Sequence, residues 1–285
     1  MSGAANPAKG NSQVSENHPL RVGIAGLGAV GREVARRLLD GVPGLTLVAV
    51  AVRDAAKAKR ALPALDAVSF RAATALADDC DVVVECLPPS LFREVAVSAI
   101  DRGRVFMPLS VAQLLQPQND DLVERAKRAG ARIMVPTGAL LGLDAVRAAA
   151  ESGIRSITMV TRKPPAGLDG APYLVERHIS LAGLNEPLRV FDGSAREGAR
   201  GFPTNVNVAA ALSLAGVGPD RTRLEIWADP TVSRNTHVIT VDAEAARFTM
   251  TIEGVPTNNP RTGKLVAPST VAALRALVST LKVGS

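Results

Sequence analysis

From Leu20 onward, apolar and polar positions alternate in blocks whose period changes along the chain. An apolar run over Val22–Ala25 is followed by a glycine-rich turn. Next come a segment from Ala29 to Leu39 with helical spacing of its apolar positions and a second apolar run from Leu45 to Val52. The two short runs predict buried strands and the segment between them a helix, which together make a βαβ unit. The rhythm continues with a strand over Asp81–Cys86, a helix over Leu91–Arg102 and a strand near Val105. A helix near Asp121–Ala129 and a strand over Ile133–Val135 complete it. Strands alternating with helices predict a parallel, doubly wound sheet.

Past Thr137 the pattern changes. A helix from about Leu143 to Ala150 precedes strand-like stretches around Ile157–Thr161, Leu224–Trp227, Val238–Val241 and Phe248–Ile252, interrupted by a helical segment over Val206–Leu214. These stretches predict a second, mixed or antiparallel sheet. A helical period returns over Thr270–Leu281. The expected organisation is a tail over 1–19, a first domain over 20–137, and an α+β substrate and oligomerisation domain over 138–264. The stretch 265–285 is expected to pack back on the first domain.

Composition narrows the class. Hydrophobic residues make up 47% and charged residues 21%, which suits packed cores rather than a disordered chain. Aromatic residues are only 3%, so Ala, Val, Leu and Ile must fill those cores. The net charge of +6 comes from Arg and Lys scattered among Asp and Glu, with no basic run or aromatic-basic platform, so no nucleic-acid partner is expected. Two cysteines, Cys80 and Cys86, flank Val82–Val84; they are too few for a disulfide scaffold or zinc site and imply a reducing, cytoplasmic setting. Residues 1–19 are rich in Ser, Asn, Gly and Pro without the apolar core of a signal peptide, and they read as a flexible tail. No apolar stretch is long enough to span a bilayer, so no membrane partner is expected.

The first chemical signal is Gly26-Leu27-Gly28-Ala29-Val30-Gly31, a G-x-G-x-x-G turn after a strand and at the start of a helix. Gly26 permits the tight turn, Gly28 lets the backbone approach a pyrophosphate, and Gly31 allows close packing of helix on strand. Ala29 and Val30 open the helix, whose free N–H groups and positive dipole end suit phosphates. The motif makes the first domain Rossmann-type and implies NAD or NADP. Discrimination between them falls at the end of the second strand, Ala51-Val52-Arg53-Asp54. Arg53 is placed to neutralise a 2′-phosphate, Asp54 to bind a ribose, and both also suit a solvated turn.

Beyond the glycine loop, the chain resembles the L-aspartate dehydrogenase family from Leu20 to the C-terminal helix. The motifs that carry the resemblance are Pro136-Thr137-Gly138-Ala139, Gly142-Leu143-Asp144-Ala145, Lys163-Pro164-Pro165 and the run from Phe202 to Ala210. Ala228-Asp229-Pro230, Arg234-Asn235-Thr236-His237 and Asn259-Pro260 complete it. The resemblance implies reversible, NAD(P)-dependent oxidative deamination of L-aspartate, or a similar dicarboxylic amino acid, through iminoaspartate, by a homodimer without a metal. His237 matches the catalytic position; an imidazole is also the side chain best suited to proton transfer near neutral pH. Asn235, two residues earlier on an extended segment, shares its face and is the second catalytic candidate. Asn205 and Asn207 either cap the helix they open or hold an anionic substrate group. Lys163 and Arg234 are candidate cations for the substrate carboxylates, with a solvated role equally open.

The chain departs from the family pattern at Ser110-Val111-Ala112-Gln113, where a Gly-Ala-like pair is expected in place of Ala112 and Gln113, and at Gly263, where a Ser is expected. The Ala112-Gln113 difference predicts a bulkier residue at the nicotinamide end. The rival readings are another two-domain dehydrogenase and a dinucleotide sensor without chemistry. A semialdehyde dehydrogenase needs a nucleophilic Cys where this chain has Thr137-Gly138-Ala139. A sensor has no use for His237 or Asn235.

Overall fold

A computed structural model describes residues 18–255 and 263–284. The expected tail therefore lies almost wholly outside the described residues, as does the Asn259-Pro260 motif.

The first half alternates as the apolar pattern requires. In order it comprises β1 (Leu20–Ala25), α1 (Ala29–Leu39), β2 (Leu45–Ala51), α2 (Ala55–Ala61), β3 (Ser69–Phe70), α3 (Leu76–Asp79), β4 (Val82–Glu85), α4 (Phe92–Asp101), β5 (Val105–Pro108), α5 (Leu122–Ala129) and β6 (Arg132–Ile133). The six strands form one sheet in the order β3-β2-β1-β4-β5-β6, with every pair parallel. Order reverses between β1 and β4, and that switch point is where a doubly wound sheet opens a crevice at its carboxyl edge. Alternate strand residues fill two cores. Val22, Ile24, Val82 and Val84 pack with Val34 and Leu38 of α1, while Val83 and Phe106 pack with Phe92 and Val95 of α4 and with Leu122. The near-continuous apolar strands reflect burial on both faces.

The second half contains α6 (Leu143–Ser152), β7 (Ile154–Lys163), α7 (Pro172–Glu176), β8 (Leu188–Ser194), α8 (Ala195–Gly201), α9 (Asn207–Ala215), β9 (Thr222–Ala228), β10 (Asn235–Ala243) and β11 (Arg247–Gly254), followed by α10 (Val266–Val278). Its five strands run β11-β10-β7-β9-β8; only β7 and β9 are parallel neighbours. Along β10 the residues from His237 alternate buried and half-buried, as a sheet with one covered face demands. The covered face packs Ile157, Met159, Ile226 and Ile239 against Val146, Ala199 and Leu212 of the helices.

Several elements have no counterpart in the sequence expectation, among them α2, β3, α3, α7, β8 and α8. β8 was not anticipated: its apolar pair Val190-Phe191 is adjacent rather than alternating, because the ladder to β9 shifts register between Arg189 and Phe191. The helix expected over Thr270–Leu281 begins earlier, at Val266, and ends at Val278. Its Ala267, Val271 and Leu274 join the core of the first sheet beside α1, so the chain returns to its first domain after building the second. No helix among the described residues is long and apolar enough to cross a membrane.

Candidate active site

A cleft of about 1170 Å³ opens at the carboxyl edge of the parallel sheet and extends to the near ends of β7 and β10. Its volume exceeds the range of about 300–1,000 Å³ usual for small-molecule sites, as suits two ligands bound together. The glycine loop forms one wall, and all of Gly26, Gly28, Ala29, Val30 and Gly31 line it. Each glycine has a distinct physical reason. Gly26 has φ of +96°, in the left-handed region. A Cβ on Gly31 would stand 2.0 Å from the Gly26 carbonyl oxygen, so the helix could not sit so close to the loop. A Cβ on Gly28 would meet nothing within 4 Å: the space before it is open, at the N-terminus of α1. Open space over unpaired helical N–H groups is what a pyrophosphate requires, so the residues present fit a dinucleotide.

Arg53 and Asp54 line the same cleft at the end of β2. The Asp54 carboxylate accepts the Lys57 N–H at 2.8 Å, and this N-cap starts α2. Arg53 is exposed, and Lys57, which sequence reasoning passed over, lines the cleft with it.

The opposite wall belongs to the mixed sheet. His237 and Asn235 project from one face of β10, and Thr161 and Lys163 from the matching face of β7; His237 pairs in register with Thr161. His237 is 4% exposed, and its Nδ1 lies 3.1 Å from Thr161 Oγ1. Burial, and secondarily the Lys163 charge, push its pKa down to about 3, so the imidazole is neutral at ordinary pH. Lys163 is as deeply buried, and its Nζ donates to the Asn205 carbonyl at 2.9 Å, with Asn205 Oδ1 at 3.5 Å. Lys163, Asn205, Asn207, Asn235 and His237 all line the cleft. Arg234 does not: it is exposed on the turn before β10, outside the lining.

Neither asparagine caps α9 with its side chain. Asn207 Oδ1 instead accepts the N–H of Ala112 at 3.0 Å, from the 3₁₀ turn over Val111–Leu115 that follows β5. That turn is fastened to the second core, since Val111, Ala112 and Leu115 pack within it. The family departure there also has a different meaning from the one expected. Ser110 and Val111 face the cleft, while Ala112 and Gln113 are buried behind it, so Gln113 adds no bulk at the nicotinamide end.

Sequence reasoning also missed Glu85. This residue closes the apolar run of β4, is wholly buried, and accepts hydrogen bonds from the Leu87 N–H at 2.7 Å and from the Ser110 N–H and hydroxyl, each at 3.1 Å. It thereby ties together the two loops that follow β4 and β5, both of which reach the cleft. Burial raises its pKa, opposed by those donated hydrogen bonds. A charged residue ending Val82-Val83-Val84 was the available signal. Among the described residues, no group of His, Cys, Asp or Glu is placed to hold a metal ion.

A glycine loop at the switch point of a doubly wound sheet, facing a buried imidazole from a second domain, defines a two-domain nicotinamide-dependent dehydrogenase. Comparison with known proteins narrows the class. Residues 144–277 match the family described as aspartate dehydrogenase, C-terminal, and residues 26–136 match the homoserine dehydrogenase NAD binding domain. L-Aspartate dehydrogenase from Bradyrhizobium diazoefficiens is 52% identical over 93% of this chain and 94% of that one. L-Aspartate dehydrogenase 3 from Bordetella bronchiseptica is 47% identical over 95% and 100%. A crystal structure of aspartate dehydrogenase from Thermotoga maritima shares the fold, with a TM-score of 0.72 at 23% identity, covering 94% of this chain and 100% of that one. The chain belongs to the aspartate dehydrogenase family.

Proposed function

We infer that this enzyme catalyses the reversible, NAD(P)-dependent oxidative deamination of L-aspartate to iminoaspartate, which hydrolyses to oxaloacetate and ammonia. The observation that carries this reading is the meeting, in one cleft, of the dinucleotide loop with Lys163, Asn235 and His237 from the other domain. When bound, the nicotinamide supplies the acceptor for the hydride that leaves the substrate Cα. The protein's residues supply the rest. Lys163, held by Asn205, offers a buried cation to a substrate carboxylate, and Asn235 offers an amide beside it. His237 takes the proton that the ammonium must lose before its nitrogen lone pair can form the C=N bond. Being neutral, the imidazole already has its base form; burial is the main cause that holds its pKa down, and a carboxylate seated on Lys163 offsets the secondary one, the Lys163 charge.

The adenosine end favours NADP. Arg53 and Lys57 bring two cations to the cleft, while Asp54 engages the start of α2. We assign the dinucleotide domain to 20–137 together with α10, and the substrate domain to 138–264. The uncovered face of the mixed sheet carries half-buried Val160, Val238 and Trp227, which suits a second copy of this chain in a homodimer. A cytoplasmic setting fits two cysteines that are both unpaired.

The test is an assay at alkaline pH with NAD and NADP across a panel of amino acids, for wild type and His237→Ala. General acid–base assistance contributes about 10²–10⁴-fold, so the variant is expected to lose at least about a hundredfold in kcat with cofactor affinity unchanged. Activity with another amino acid in preference to aspartate would overturn the substrate. A folded variant above about a tenth of wild-type kcat would overturn the role of His237.

A further inference from the structure

Thr161 lies on β7 directly across from His237 on β10, and both side chains are 4% exposed. A neutral imidazole carries its proton on one nitrogen only, and the partner of the other nitrogen decides which. Nδ1 faces the Thr161 hydroxyl at 3.1 Å, leaving Nε2 as the nitrogen available to the cleft. A hydroxyl can donate or accept, so the Thr161 contact is compatible with either tautomer. The role of His237 as the base separates them: a nitrogen that takes a proton from the substrate must present its lone pair to the cleft, which puts the ring proton on Nδ1, opposite the Thr161 hydroxyl.

We propose that Thr161 is a positioning residue which accepts the His237 Nδ1–H, locking the imidazole in the tautomer whose Nε2 lone pair faces the cleft. The hydroxyl also fixes the ring plane, because a buried N–H without an acceptor is costly and the ring gains by keeping this one. Thr161 does no chemistry itself. It keeps the base in the form that can accept a proton, so its effect falls on the chemical step rather than on cofactor affinity. The proposal rests on the catalytic reading of His237, although the tautomer can be observed independently of turnover.

The experiment uses the full-length enzyme. The chain has three histidines, so ¹⁵N-histidine NMR with a His237→Asn control assigns the His237 signals. Wild type is expected to show Nδ1 in the protonated range and Nε2 in the unprotonated range. Thr161→Val keeps the shape and suits a strand. It should lose that signature and lower kcat about tenfold, the weight of one hydrogen bond in the tautomer equilibrium, with the Kd for NADPH unchanged. Thr161→Ser should restore both signature and rate. A protonated Nε2 in the wild type overturns the proposal, as does a Thr161→Val enzyme with wild-type tautomer and kcat. A loss in Thr161→Val that Thr161→Ser does not restore marks packing alone and also overturns it. Retained activity in His237→Ala would refute the catalytic reading instead, leaving the tautomer to be judged by the spectrum.

Discussion

Alanine at Gly28 and alanine at Gly31 should have opposite consequences, although the two positions lie on the same turn. Gly28 adopts φ −69° and ψ −162°, which an L-residue accepts, and its Cβ would meet nothing within 4 Å. In the folded apoenzyme two small effects oppose. Restricting the unfolded chain stabilises by about 0.4–1 kcal/mol. Alanine is a poorer N-cap than glycine by a similar amount. Net stability should stay within about 0.5 kcal/mol of wild type. The methyl group would, however, occupy the space open to a pyrophosphate, weakening cofactor binding at least about tenfold, or about 1.4 kcal/mol. Gly31 presents the reverse case. Its Cβ would stand 2.0 Å from the Gly26 carbonyl oxygen, a backbone atom, so α1 must move away from the loop by about 1 Å. Overpacking of this kind costs about 1–3 kcal/mol, and more where backbone must shift. Denaturant unfolding and titration with NADPH followed by nicotinamide fluorescence separate the two effects. A Gly28→Ala enzyme that binds NADH and NADPH as wild type does, or a Gly31→Ala enzyme of undiminished stability, would refute this account of the loop.

Arg53→Ala should lower affinity for NADP more than for NAD, since only the former loses a charge-assisted contact to its 2′-phosphate; equal losses in paired titrations would remove Arg53 as a selector. Asn207→Ala strips the Ala112 N–H of its acceptor across the domain boundary, and an unsatisfied buried donor should cost about 1–3 kcal/mol in chemical unfolding. His237 imposes a pH dependence on stability. The unfolded imidazole binds a proton below about pH 6.5 while the folded one resists to about 3, so the unfolded state holds more protons across that window and stability falls with falling pH. At about 1.4 kcal/mol per unit the effect reaches roughly 5 kcal/mol at the acid end. His237→Asn should flatten that part of the stability curve, and an unchanged slope would argue that His237 is protonated in the folded protein.

The parallel sheet was legible because its strands are buried on both faces and read as unbroken apolar runs, with a glycine loop whose spacing has one physical use. Most of the second sheet was legible through alternation, as in β10. β8 was not, because a register shift brings Val190 and Phe191 side by side, and the Ser194–Glu197 capping box that starts α8 immediately after it was overlooked. Of the candidate site residues, Asn235 and His237 lie on one face of their strand as alternation predicted, and Lys163 joins them because β7 runs two residues past the expected Thr161. Those on turns and at helix starts were harder to place. Asp54 caps a helix and Asn207 braces another segment, because short polar side chains beside free N–H groups bind backbone wherever it is near. Thr161 escaped notice altogether: its significance comes from the strand opposite it, seventy-six positions away.

The return of α10 to the first domain has a consequence for how the protein is made. The apolar stripe of α1, with Val34 and Leu38, is completed only by Ala267, Val271 and Leu274 near the other end of the chain. At about 5–20 residues per second, a ribosome needs some tens of seconds to deliver them after α1 emerges. Throughout that interval the dinucleotide domain is a partial fold with an open seam, held while the whole substrate domain is synthesised in between. Nascent chains stalled before residue 266 should therefore be more open to proteolysis at α1 than the released enzyme, and a synthetic α10 peptide supplied in trans should restore their protection.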